Sequence, residues 1–159
     1  MAVLARREDG LEIDDDPARV DVATTFELVV GQGYWASDRS PETVAATIPA
    51  SWCFGVYDGA QQVAFARVVT DRVTFAWVCD VVVDRAHRGR GIGHWLMSTV
   101  TDAVDATGVR RQILATADAH EVYRTVGYRE MAHPEWWMER DTRPTATGAG
   151  DAAGRGADR

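Results

Sequence analysis

The sequence predicts a single α/β (α+β) domain, in which a mixed sheet carries helices on its faces. Three observations predict it. The stretch VTFAWVCDVVVD (73–84) is the longest β-like run in the chain. Segments 19–30 and 91–106 carry apolar residues at helical spacing. The elements follow the rough order α-α-β-β-β-α-β-α-β, and 159 residues suffice for one domain with a substantial core.

Residues 1–10 read as a polar lead-in. Over 19–30, Val22, Phe26, Val29 and Val30 mark one helical face, and GQG (31–33) stops the helix. In SPETVAATI (40–48), Ser40 is a natural cap, Pro41 fits the first turn and Glu42 favours the positive helix end. SWCFGVYDG and QQVAFARVV are strand-like, with DGAQ (58–61) as a hairpin turn. TDR then leads into the valine-rich run. Residues 91–106 form an amphipathic helix with Ile92, Trp95, Leu96, Val100 and Ala103 inward. VRRQILATA (109–117) is the next strand, AHEVYRTVGY (119–128) a short helix closed by Gly127, and WWMER (136–140) a final strand. The small, polar, glycine-rich end is expected to be disordered. The domain is thus expected over 11–140, between a lead-in (1–10) and a tail (141–159).

Composition narrows the function. No apolar run approaches the ~20 residues that span a bilayer, and the N-terminus lacks a signal-peptide pattern. Cys53 and Cys79 lie inside apolar runs, which favours buried reduced thiols over a disulfide and makes the cytoplasm the expected location. A formal charge of −7 argues against nucleic acid as a partner and is compatible with a cationic substrate. All 17 basic residues are arginine, which excludes a lysine Schiff base and suggests a GC-rich, bacterial genome. The histidines and cysteines show no recurring ligand spacing, so no metal is expected.

Positive charge and glycine concentrate in VVVDRAHRGRGIGHWLM (81–97), where Arg85–His94 contains no acid. A strand, a glycine-rich turn and a helix together form a common anion site, because the first helical turn has unpaired N–H groups and a partial positive charge. Gly89, Gly91 and Gly93 would let an anion approach the backbone, and Arg88 and Arg90 would add fork-shaped donors. The spacing is neither GxxxxGK[ST] nor GxGxxG, which excludes the P-loop and the dinucleotide fingerprint.

What stands there, V-x-V-D-x-x-x-R-G-R-G-I-G-x-x-L-M, closely resembles the acyl-CoA signature of the GNAT superfamily of N-acetyltransferases. Arg88, Gly91 and Gly93 fill its [RQ]-x-x-G-x-[GA] core. LATADAHEVYRTVGY resembles the family's second hallmark, with Ala119, Tyr123, Gly127 and Tyr128 in place, although the asparagine of many relatives after this strand is absent. The resemblance implies a mostly antiparallel mixed sheet whose fourth and fifth strands splay apart. It also implies acetyl-CoA as co-substrate: pyrophosphate on the backbone of 88–93 (Arg88, Gly89, Arg90, Gly91, Ile92, Gly93) and the pantetheine arm beside Val81 and Val83. Tyr123 sits where many relatives place the acid for the departing thiolate, with core packing as its alternative.

Asp80 is the one acid in AWVCDVVV. Burial would raise its pKa and suit a base, or it could hold the substrate's ammonium; the alternative is an ion pair with Arg67. Tyr34 and Trp35 lie in the segment that closes over substrate in relatives, as an aromatic wall or as core. Trp52, Trp77 and Trp95 are expected in the core. The resulting expectation is N-acetylation of a primary amine by direct attack in a ternary complex, with a small-molecule acceptor favoured over a peptide α-amine. The alternatives are an idle CoA-binding or regulatory module of the same fold and an unrelated phosphate-binding domain. Relatives are often dimers, so a homodimer is a further expectation.

Overall fold

A computed structural model describes residues 3–143, in two units divided after Arg129. In the first unit six strands lie side by side in chain order: β1 (Ala5–Arg6), β2 (Leu11–Asp14), β3 (Trp52–Asp58), β4 (Gln61–Thr70), β5 (Ala76–Val83) and β6 (Gln112–Ile113). All neighbours are antiparallel except β5 and β6, which run parallel. Helices α1 (Val22–Gln32), α2 (Pro41–Thr47), α3 (Ile92–Asp105) and α4 (His120–Arg124) complete the domain. The expected α/β architecture stands, and α3 supplies the crossover that a parallel neighbour requires.

The lead-in is more than polar chain. Ala5 and Arg6 pair with Ile13 and Glu12 around a turn at Gly10, whose φ is +87°. The charges of ARREDG hide this edge hairpin from a hydrophobicity reading, and charge is a usual way to keep a sheet edge from pairing with other chains.

The sheet separates two apolar clusters. Ile92, Leu96, Met97, Val100 and Val104 of α3 pack on Val56, Val63, Ala66, Val68 and Val78. On the opposite face Leu28 and Val29 of α1, Ala36 and Ile48 pack with Phe65 and Val82. Helix α1 is rotated from the expected face: Thr25, Leu28 and Val29 are buried, whereas Val22 is exposed. A buried amide sets that rotation, since Gln62 donates to Thr25 Oγ1 at 3.0 Å and accepts the Asp21 N–H at 3.0 Å. GQG stops α1 as expected: the helix ends at Gln32, with Gly33 as its cap.

Two features of β5 shape the site. It pairs with β6 only at Ala76–Gln112 and Trp77–Ile113, so the two strands part after two residues. The rest of β5 then has no strand on that edge among the described residues. The second feature is a bulge. Phe65 pairs with Val82 and Arg67 with Cys79, so two steps along β4 match three along β5. Asp80 takes up the extra residue with φ +54°. The bulge reverses the side-chain alternation. Ala76 and Val78 face the α3 cluster, as Val81 and Val83 do, while Val82 faces α1. Without the bulge Asp80 would point into the apolar α3 cluster.

Residues 130–143 form no strand. Pro134–Trp136 is a 3-10 turn with His133 stacked on Trp136, so the strand expected at WWMER is corrected. Proline has no N–H and a fixed φ, and both favour the turn. Of the tail expected over 141–159, residues 144–159 lie outside the described residues.

Candidate active site

Asp80 is the centre of one cluster. Its side chain is only 3% exposed. Arg39 Nη1 donates to both carboxylate oxygens at 2.8 Å, Arg67 Nε donates to Oδ2 at 2.8 Å, and Trp35 Nε1 donates to Oδ1 at 3.1 Å. Arg67 Nη1 also reaches Ser51 Oγ at 3.0 Å. Burial opposes ionisation of Asp80, but the guanidiniums of Arg67 and Arg39 outweigh it and hold the carboxyl below its ordinary value. The direction is opposite to the one burial alone suggested. The geometry matches the ion-pair alternative and extends it with Arg39.

These contacts also explain how an aspartate tolerates a left-handed backbone, which costs about 1–2 kcal/mol. Such strain persists where the surroundings over-determine it. Four hydrogen bonds from three residues do so here.

The opening between β5 and β6 is bordered by aromatic side chains. Tyr34 accepts the N–H of Ala117, beyond β6, at 3.0 Å, while neighbouring Trp35 reaches Asp80 on β5. The two rings meet edge to face at 5.2 Å. The Tyr34–Ala36 turn thus bridges the two sides where the strands separate. The Tyr123 ring packs against the α3 cluster and lies 6.1 Å from the Tyr128 ring. Its hydroxyl makes no hydrogen bond to another described residue. Burial, and then Tyr34 and Asp118 nearby, push its phenol up to about 12. Burial likewise pushes the Cys79 thiol up to about 11, Arg67 offsetting it in part, so this thiol stays protonated near neutrality.

At the far end of β5 the chain enters the arginine–glycine turn. Gly89 (φ +77°) and Gly91 (φ +70°) are left-handed, and a Cβ at either would meet nothing within 4 Å. Gly91 caps α3 without a side-chain hydrogen bond. Gly93 brings α3 close to β5, since its Cβ would lie 3.7 Å from Val83. Arg88 Nε donates to Val83 O at 3.0 Å and ties the turn to the strand end. Arg90 does not simply line the turn: it bonds Asp9 at 3.0 Å, and its carbonyl accepts from Arg7 at 3.0 Å. The β1–β2 hairpin is thereby clasped to the start of α3. Asp84 accepts from Gln32 and contacts His87, fixing the strand end.

A sequence model described as an acetyltransferase (GNAT) domain matches residues 49–130. The chain belongs to the GNAT acetyltransferase family. A GNAT-family protein of Xanthomonas campestris pv. campestris, known from a 1.40 Å crystal structure, is 36% identical with a TM-score of 0.79, over 86% of this chain and 95% of that one. A protein of Gibberella zeae that bears an acetyltransferase name is 27% identical over 131 residues, 70% of this chain and 74% of its own. The N-acetylglutamate synthase of Neisseria gonorrhoeae, solved with coenzyme A and N-acetyl-glutamate, shares the fold at TM-score 0.61 and 14% identity, over 75% of this chain and 28% of that one.

Family membership makes the chain an acyltransferase and sets aside the reading as an unrelated phosphate-binding domain. The six-strand sheet, open between β5 and β6, is the GNAT arrangement expected above, its splayed fourth and fifth strands renumbered by the added edge strand β1. No helix among the described residues is long and apolar enough to cross a membrane. Direct contacts join Tyr34, Trp35, Arg67 and Asp80, with Tyr123 near Tyr34 on the α3 side, while Arg88, Gly89, Gly91 and Gly93 lie in the turn that follows β5. Trp77 is not core but 47% exposed. Sequence reasoning missed Arg39 and Ser51. A signal existed for the first: Arg39 lies four residues after Trp35 and just before the Ser40 cap, so a fixed helix start carries it.

Proposed function

We propose that this GNAT acetyltransferase moves an acetyl group from acetyl-CoA to a primary amine of a small molecule by direct attack. The observation that carries the reading is the open edge of β5. Beyond Trp77 the strand offers backbone N–H and C=O groups to an extended ligand, and it ends in a left-handed glycine turn at a helix N-terminus. The fit to acetyl-CoA is physical. Free strand edge suits the amide-bearing pantetheine arm, and open space over Gly89 and Gly91 beside the free N–H groups of α3 suits a pyrophosphate. The co-substrate supplies an acetyl group activated as a thioester. Val81 and Val83 flank the arm, while residues 88–93 hold the diphosphate, with Arg88 positioning the turn.

Tyr123 is the general acid. Its hydroxyl carries its proton throughout the neutral range and has no partner to surrender first among the described residues, so it can protonate the departing thiolate. A protonated Cys79 is a poor nucleophile, which favours direct attack over a cysteine-bound acetyl group. An alkylamine of pKa ~10 is mostly protonated in solution, so the small neutral fraction, its proton already lost to bulk buffer, is the nucleophile; the proton that nitrogen sheds after attack balances the one Tyr123 gives to the thiolate. Asp80, below its ordinary pKa and engaged by two arginines, organises the acceptor side and is not the base.

Acetyl-CoA binding by calorimetry and thiol release with an amine panel test the reading. Gly91→Val places a side chain where the diphosphate would lie and should weaken acetyl-CoA binding about 10–100-fold, the loss of one or two good anion contacts. Gly108→Val is the control: its φ is +88° with equally open space, so it carries the same backbone strain away from the turn. Both should lose comparable thermal stability, and only the first should lose binding. Equal binding by the two variants would remove the cradle from the turn.

A further inference from the structure

The inference concerns the acceptor and rests on the acetyl-transfer reading. Asp80 is shared by two guanidiniums, so the cluster carries one surplus positive charge. No second carboxylate contacts either arginine among the described residues. The donors are also incompletely used. Arg39 spends only Nη1 on Asp80, and its Nε and Nη2 bond no other described residue. Arg67 spends Nε and Nη1, which leaves Nη2 without a described partner. The side chains are 25% and 12% exposed, so the unused donors sit at the rim of a buried pair.

We propose that the acceptor amine carries an anionic group, a carboxylate or a phosphate, which docks on the unused donors of Arg39 and Arg67. The planar guanidinium matches either oxyanion, and a half-buried setting strengthens the contact. Asp80 holds both forks in place and leaves the pair net positive. The cluster lies where an acceptor must come, since Asp80 adjoins Val81 at the bulge and Trp35 and Tyr34 lead from it across the strand opening. The overall charge of −7 does not override this. Exposed charges are screened beyond about 8 Å at physiological salt, whereas the docked anion would touch its partners.

The test compares acceptors in pairs: α-amino acids with their amides, short ω-amino acids with alkylamines, and O-phosphoethanolamine with ethanolamine. Thiol release should show an anionic acceptor with kcat/KM about ten-fold or more above its counterpart, and the carboxylate and phosphate arms identify the anion. Arg39→Gln should raise KM for that acceptor about ten-fold while changing kcat little, narrow its advantage over the counterpart, and be partly rescued by Arg39→Lys. The wild-type comparison stands even where a variant fails to fold. Counterparts without the anion used equally well throughout the panel, with acetyl-CoA still bound, would overturn the inference and leave acetyl transfer intact. Absence of acetyl-CoA binding would defeat both readings.

Discussion

Tyr123→Phe is expected to lower kcat by about 100-fold or more while leaving acetyl-CoA affinity within about two-fold, since general acid catalysis contributes roughly 10²–10⁴. The substitution is clean here. The ring packs against the α3 cluster and touches Tyr128, and phenylalanine keeps both contacts. The hydroxyl makes no hydrogen bond to a described residue, so its removal leaves no buried partner unsatisfied and should cost little stability. Burial and the neighbouring Tyr34 and Asp118 raise the phenol to about 12. The acid therefore stays competent as pH rises, and loss of activity through this group should begin only as pH approaches that value. Unchanged turnover in the variant would return Tyr123 to a packing role.

Asp80→Asn should produce the largest loss of stability, about 3 kcal/mol, because removing one partner of a buried ion pair strands the other charges. For a chain of this length that corresponds to a fall in Tm of roughly 6–12 °C. The figure belongs at the lower end of the usual range because Arg39 retains access to water. Asparagine would also keep the left-handed backbone without the contacts that hold it. The effect has a definite pH dependence. The folded carboxyl titrates below the ordinary 3.8, so its contribution is complete above that value and is lost as pH falls through the lowered one. The Tm gap between wild type and variant should hold from neutrality down to about pH 4 and close only below it. A gap that closed between pH 5 and 7 would mean a raised pKa and restore the base reading.

Much of the fold was legible because its signals are local. The DGAQ hairpin, the Ser40 cap and the inward row of α3 (Ile92, Leu96, Val100) each depend on residues a few positions apart. The left-handed turn at 88–93 was legible for the same reason: its glycine and arginine spacing lies within one strand–turn–helix unit, whereas Tyr123 came from the resemblance of AHEVYRTVGY to the family's second hallmark. The β1–β2 hairpin was hidden by its charges. The face of α1 was misread because a glutamine from β4, far away in sequence, decides it.

By itself, the sequence determined the α/β class, the family and the position of the glycine turn. All three reside in short-range pattern and composition. Tertiary structure alone decided the surroundings of Asp80. The bulge at Asp80 arises from pairing between β4 and β5 and turns one carboxylate from the α3 face to the α1 face. Arg39, 41 positions away, then becomes its partner. No periodicity within β5 reports this, because strand alternation predicts the wrong face wherever a register shift intervenes. The charge balance of the site, and with it the chemistry expected of the acceptor, depends on that one extra residue.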